Sequence, residues 1–226
     1  GLNTIISASD ETNVETSIQS LKVYRDKGVL PLIGRWNTHT YSGSIEAKKE
    51  LQQLTSELGI KFWQSETGSG GRGIHGNLMM AQRLMDDIRY MKPAAWVDWQ
   101  YVEERNDQWS LVSTDHQWHT YYRHHNYYIR QMFSRFIPVG YTFVESGSEH
   151  TLAAVSPDNK TLVLVALNTS DQPETHLALT PKLKAVTCYR TSKEENVASV
   201  TDFEKKKGKL MFQLPPLSIA TFVCAL

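Results

Sequence analysis

The sequence has no surplus of either charge. Its 24 Lys and Arg balance 24 Asp and Glu over 226 residues. Nothing is therefore available to hold a nucleic-acid backbone or an anionic membrane surface, and a neutral or weakly charged ligand fits better. It also lacks any run of about 18 apolar residues, which excludes a helical membrane span. The opening GLNTIISASD is too polar for a signal peptide, so either the mature chain starts at Gly1 or an upstream part has been removed. Cysteine is scarce. Cys188 and Cys224 stand far apart without CxxC spacing, which argues against a zinc or redox centre and leaves them either paired or simply small buried side chains. What the chain does have is a hydrophobic content of 40%, enough for a substantial core, and ten Tyr, seven Phe and six Trp. All six Trp lie between Trp36 and Trp118, so the first half is where a site is sought.

Up to about Pro138, short apolar runs alternate with stretches of helical period, the pattern of β/α units. Thr4 to Ala8 predicts a strand, with Asp10 or Thr12 capping a helix that carries Val14, Ile18 and Leu21. Leu30 to Thr38 reads as a second strand. The helix after it starts near Ser44, shows Leu51, Leu54 and Leu58, and stops at Gly59. Ile60 to Ser65 is the third strand, and a glycine-rich loop, Gly68 to Gly73, leads to a helix with Leu78, Ala81, Met85 and Ile88. Pro93 ends that helix, Ala94 to Gln100 reads as the fourth strand, and a polar loop holding Trp109 precedes a last helix with Tyr121, His125, Tyr128 and Met132 on one stripe. After Pro138 the period falls to two, and six strands are predicted: Leu152–Val155, Leu162–Leu167, Leu177–Leu179, Ala185–Tyr189, Leu210–Leu214 and Ile219–Cys224. The charged run Glu204 to Lys209 reads as a solvated hairpin tip.

The expected class is thus α/β plus all-β: residues 1–138 as half of a (β/α)8 catalytic barrel and residues 139–226 as a β-sandwich side domain. A nucleotide-binding open sheet is disfavoured. No GxGxxG follows the first strand, and the Gly68 to Gly73 segment lacks the P-loop lysine.

In a parallel barrel the reactive groups gather at the strand C-termini. Those ends offer Asp10 and Glu11; then Asn37, His39 and Tyr41; then Glu66; then Trp99 and Gln100. A carboxylate at the tip of Phe62-Trp63-Gln64-Ser65 is poorly solvated and has to be bound or used. Glu66 is therefore the leading candidate. The plain alternative is a structural carboxylate paired with Arg35 or Arg72.

Several segments resemble successive strand ends of family 30 glycoside hydrolases, in the family's order. They are Asn37-Thr38-His39-Thr40-Tyr41, Phe62-Trp63-Gln64-Ser65-Glu66, Ala95-Trp96-Val97-Asp98-Trp99-Gln100, Phe133-Ser134-Arg135-Phe136-Ile137-Pro138-Val139-Gly140 and the run from Ser156 to Val165. Members acting on β-1,6-linked galactans are the most similar; xylanases and glucosylceramidases are more distant. The resemblance implies a retaining enzyme, secreted or periplasmic, with no cofactor and no metal. The four units would be strands 5–8 of the barrel. Glu66 would be the nucleophile, held by Tyr41. Asn37, His39, Tyr41, Trp99 and, in the loop after Glu66, Arg72 would bind substrate, with Trp99 as the floor of the pocket. Trp63 and Trp96 read as core, Trp36 and Trp109 as core or outer subsites, and His75 as a further loop candidate. The family's acid/base glutamate would lie upstream of Gly1, so the chain alone is expected to be inactive. Glu11 does not stand in the Asn-Glu pair that marks that residue.

Half a barrel exposes two strand edges and an apolar wall, so a partner is expected: the missing N-terminal half or a second copy of the chain. Two rivals remain. One is a non-catalytic carbohydrate-binding barrel protein. The other is a metal-dependent hydrolase built on His116, His119, His124 and His125, which adjacent histidines on different helix faces disfavour.

Overall fold

The computed structural model describes residues 3–68, 71–179, 183–206 and 208–226. In chain order the elements are β1 (Ser7–Asn13), α1 (Val14–Asp26), β2 (Arg35–Ser42), α2 (Ile45–Glu57), β3 (Phe62–Glu66) and α3 (Gly73–Asp86). A π-helical segment, Asp87–Met91, continues from α3. Then follow β4 (Val102–Glu104), β5 (Val112–Asp115), β6 (Thr120–Arg123), α4 (His125–Ser134), β7 (Thr142–Val144), β8 (Thr151–Val155), β9 (Thr161–Asn168) and β10 (Glu174–Leu179). The chain ends with β11 (Ala185–Thr191), β12 (Ala198–Val200), β13 (Phe203–Lys206), β14 (Lys209–Leu214) and β15 (Ser218–Ala225). These elements gather into two compact units, Gly1–Gly68 with Asp86–Gln100, and Ser69–Met85 with Tyr101–Leu226. The change of period at Pro138 therefore falls inside the second unit.

In the first unit β1, β2 and β3 form a parallel sheet in that order. Helix α1 presents Val14, Ile18 and Leu21, and α2 presents Ala47 and Leu51, to a core completed by Trp36, Phe62 and Met91. The Trp36 indole is fully buried and donates to Ser17 Oγ at 2.9 Å, with the Tyr24 ring edge-on against it. A buried indole N–H must find such an acceptor. Ser44 caps α2, as its position before the apolar period predicts, and Gly59, at φ +64°, lets the chain leave that helix in a left-handed turn.

Other boundaries depart from expectation. β1 begins three residues later than predicted and runs to Asn13, which supplies the cap of α1 in place of Asp10 or Thr12 by accepting from Thr16 N at 2.8 Å. Its sequence, SASDETN, has no apolar pattern, and parallel pairing with β2 makes it a strand. The pairing carries irregularities between Ser9 and Glu11 and between Glu11 and Asn13, and Asp10 between them takes φ 68°. The predicted second strand is split: Leu30–Leu32 is a 3₁₀ turn, and β2 extends four residues beyond Thr38. The fourth strand is reduced to one bridge, Gln64 with Trp96. Residues 94–97 nevertheless run beside β3, through Ala94 N to Phe62 O at 2.9 Å and Val97 N to Gln64 O at 3.1 Å.

In the second unit, the predicted loop and the start of the last helix are instead the sheet β4-β5-β6, in which Tyr121 and Tyr122 pair with Thr114 and Ser113. Only His125–Ser134 is helical, so Tyr121 does not belong to its stripe. All six predicted strands of the C-terminal part are present, together with β7, β12 and β13. They form a six-stranded antiparallel sheet, β12-β11-β15-β9-β8-β7, and a three-stranded one, β10-β14-β13, with one core between Leu164, Cys188, Leu210, Phe212, Phe222 and their neighbours. The Phe212 and Phe222 rings meet at 4.3 Å. Lys206 pairs with Lys209 within the charged run; residue 207 lies outside the described residues.

Candidate functional site

Alternation along β2 sorts its residues between two faces. Trp36, Thr38 and Thr40 are buried on one side, and Asn37, His39 and Tyr41 point to the other. β3 ends beside them, with His39 in register with Glu66. The Glu66 side chain keeps 25% of its surface exposed. The Tyr41 hydroxyl donates to Glu66 Oε1 at 2.8 Å, and His39 Nε2 stands 3.5 Å from Oε2. The same histidine nitrogen lies 3.3 Å from Asp10 Oδ1 and is aligned for a hydrogen bond with neither carboxylate. The imidazole, 14% exposed, thus sits between two acids. It packs edge-on against the Tyr41 ring at 5.9 Å.

Asp10, offered at a strand end without an assigned role, stands beside His39. Its Oδ1 accepts from Ser65 Oγ at 2.6 Å and from the Asn37 amide, whose own oxygen accepts from Ser7 Oγ. Partial burial pushes the Asp10 carboxyl up. The hydrogen bonds from Ser65 and Asn37, with the nearby His39 imidazole, outweigh that and hold it below the ordinary carboxylate value. The backbone at Asp10 is left-handed, which Asp tolerates better than most residues; the sequence offered the residue at a strand end without giving it a role.

The structure brings Asn37, His39, Tyr41 and Glu66 together, although Asn37 spends its amide on Asp10 and Ser7. Trp99 is 45% exposed, with its backbone N–H on Thr67 O at 2.8 Å, and its peptide bond to Gln100 is cis. Arg72 belongs to the second unit, where it pairs with Asp107 at 3.3 Å. Arg35 lies over the Trp63 ring, 3.6 Å from its centroid. Arg35 does not pair with Glu66 among the described residues, so that form of the structural-carboxylate alternative is not made. Glu11 turns away from the site and accepts from Ser20 Oγ at 2.6 Å. The glycine-rich loop is described only in part, since residues 69 and 70 lie outside the described residues. Among the histidines read as a possible metal group, His116 faces Glu104 at 3.3 Å and His124 contacts Ser113 Oγ at 2.6 Å. Among the described residues no group of three or more His, Cys, Asp or Glu side chains is placed to hold a metal.

No family model matches the chain. A curated endo-β-1,6-galactanase of Hypocrea rufa is 24% identical over 172 residues, which is 74% of this chain and 34% of that protein. A family 30 endoxylanase of Clostridium papyrosolvens superposes with a TM-score of 0.78 at 18% identity, over 99% of this chain and 57% of its own. A solved endo-β-1,6-glucanase gives 0.67 at 16% identity, over 100% of this chain and 50% of its own. The chain is therefore similar in fold to family 30 glycoside hydrolases and in sequence to an endo-β-1,6-galactanase, as its strand-end motifs implied. It spans about a third of that curated relative and about half of the solved structures.

Proposed function

We propose that this chain carries the nucleophile of a retaining glycoside hydrolase acting on β-linked polysaccharide outside the cytoplasm, with β-1,6-galactan as the favoured substrate. The observation that carries the reading is the Glu66 carboxylate at the tip of β3. Tyr41 fixes its Oε1, while Oε2 has His39 at 3.5 Å without an aligned hydrogen bond. One oxygen is held and the other keeps its lone pairs for an anomeric carbon.

In this reading Glu66 attacks the anomeric carbon as the glycosidic oxygen leaves with a proton from a second carboxylic acid. A glycosyl ester forms. Water, deprotonated by the same second group, then displaces Glu66 with net retention. That second carboxyl must stand about 5–5.5 Å from the nucleophile and be protonated when the sugar binds. Asp10 is unsuited to the task, because its neighbours hold it ionised. Glu11 is turned to Ser20. We therefore assign the acid/base to the other half of the barrel, and the chain to strands 5–8 of a (β/α)8 barrel with an attached β-sandwich. On this reading residues 1–138 belong to the barrel and 139–226 to the sandwich. The exposed Trp99 face is assigned to the apolar side of a pyranose and His39 to a sugar hydroxyl; Asn37 serves by fixing Asp10. Ile5 and Ile6, both more than half exposed beside the edge strand β1, support an occupant on that edge: the N-terminal barrel half or a second copy.

The test is Glu66→Gly in the full natural polypeptide. Turnover of β-1,6-galactan oligosaccharides should vanish, and azide should restore cleavage of an aryl glycoside with an inverted glycosyl azide as product. A variant that keeps its turnover overturns the assignment of Glu66, whereas a variant that binds the oligosaccharide as the parent does, while the parent cleaves nothing, favours the non-catalytic binding protein.

A further inference from the structure

We propose that Asp87 is a positioning residue that holds, from behind, both the strand carrying His39 and Tyr41 and the segment carrying Trp99. The inference rests on the reading of Glu66 as nucleophile. Asp87 opens the π-helical segment and is fully buried. Its Oδ2 accepts from Thr40 Oγ1 at 2.7 Å and from Trp96 Nε1 at 2.9 Å. Its Oδ1 faces the buried Lys48 ammonium at 3.0 Å, an ion pair without hydrogen-bond alignment.

These partners are placed to act on the site. Thr40 lies between His39 and Tyr41, so strand alternation sends its side chain to Asp87 when theirs point at Glu66. Trp96 lies three residues before Trp99. A second connection closes the loop: Thr67, next to Glu66, donates from Oγ1 to Thr40 O at 3.2 Å and accepts Trp99 N at 2.8 Å. One carboxylate thereby ties down β2, the residue after the nucleophile and the pocket tryptophan. Stability is a weak reason for such an arrangement, because an ion pair this deep is commonly no better than apolar side chains of the same volume. Fixed orientation is the better reason, since a displacement approaching 1 Å at a reacting group costs about a hundredfold in rate.

The experiment compares Thr40→Val, Thr40→Ser and Trp96→Phe in the full natural polypeptide, assayed well below their unfolding midpoints. Thr40→Val should lower kcat by roughly tenfold or more while KM stays within about twofold. Thr40→Ser, which keeps the hydroxyl, should restore turnover. Trp96→Phe should lower kcat as well, and the double variant should lose less than the product of the single losses, because both act through Asp87. Should Thr40→Val fail to fold, Trp96→Phe reads the same effect. Unchanged kcat in folded Thr40→Val or Trp96→Phe, with only a lowered midpoint, overturns the proposal. Azide rescue of Glu66→Gly in parallel separates the two failures. If rescue works while these variants turn over normally, Asp87 is merely structural; if rescue fails, the reading of Glu66 itself is wrong.

Discussion

Replacing Tyr41 by Phe removes one oxygen atom from the site, and the geometry sets both the direction and the size of the effect. The lost bond is the 2.8 Å contact to Glu66 Oε1. A hydrogen bond to a charged acceptor is worth about 1.5–3 kcal/mol. The 25% exposure of Glu66 lets water replace part of it, which leaves about 1 kcal/mol, or roughly fivefold in rate. With Glu66 as the proposed nucleophile, the two chemical steps feel this differently. During attack the carboxylate loses charge, so the bond from Tyr41 weakens on the way to the transition state and its removal costs little there. During displacement of the ester the carboxylate regains charge, so the bond strengthens and its absence slows the step. Tyr41→Phe should therefore accumulate the glycosyl-enzyme. With an activated aryl β-glycoside the expected signature is a burst of aglycone equal to the enzyme concentration, followed by a steady state about fivefold slower than that of the parent, with a lowered KM. The covalent adduct should be visible by mass spectrometry on the peptide containing Glu66. A variant that slows the burst phase and leaves the steady state alone refutes this reasoning.

Three further outcomes follow from the rest of the chain. Because the folded Asp10 carboxyl is held below its ordinary value, it contributes stability that is present above the unfolded value near 3.8 and is lost as pH falls through the folded one. Asp10→Asn should lower the unfolding midpoint at pH 6 and leave a smaller difference from the parent at pH 3; an unchanged difference across that range counts against the carboxylate network. Burial pushes the Cys188 thiol up to about 12 and the Cys224 thiol up to about 11, so neither should react with a disulfide reagent at pH 8 until the chain unfolds. Phe222→Ala, which empties a 1%-exposed position against Phe212, should cost about 3–5 kcal/mol in urea unfolding with little change in slope.

What could be read in advance follows the physics of each element. α2, β10 and β14 announce themselves, because a cap residue or a period-two alternation of buried and exposed positions is a local property of the sequence. β1 does not, because Ser7–Asn13 becomes a strand only through β2. The sheet β4-β5-β6 was hidden for the opposite reason: Tyr121, His125, Tyr128 and Met132 happen to fall at helical spacing, although the first of them lies in β6. At the site, Glu66, His39 and Tyr41 stood out as polar groups at strand ends. So did Asp10, although its role gave no signal, since its importance arises from Ser65 and Asn37, 55 and 27 residues away. Asp87 gave no signal either, as a carboxylate on an apolar helical stretch is recognisable only once Thr40, Lys48 and Trp96 surround it.

The hidden face of β2 completes the account of how the site is held. A strand packed on helices is ordinarily lined with aliphatic side chains, yet behind His39 and Tyr41 stand Thr38 and Thr40, 0% and 1% exposed. Thr38 Oγ1 donates to Glu11 O at 3.1 Å and Thr40 Oγ1 to Asp87. Valine has the same shape and a comparable strand preference, so packing alone does not call for threonine. The hydroxyls change the penalty for a wrong register. A slip of one residue exchanges the two faces of a strand. Here it would turn His39 and Tyr41 toward α1 and α2 and leave Asp87 Oδ2 without the Thr40 hydroxyl and the Glu11 carbonyl without that of Thr38, each costing about 1–3 kcal/mol. Aliphatic residues would impose only the packing part of that penalty. The polar lining is thus what fixes β2 at the one register in which Tyr41 meets Glu66.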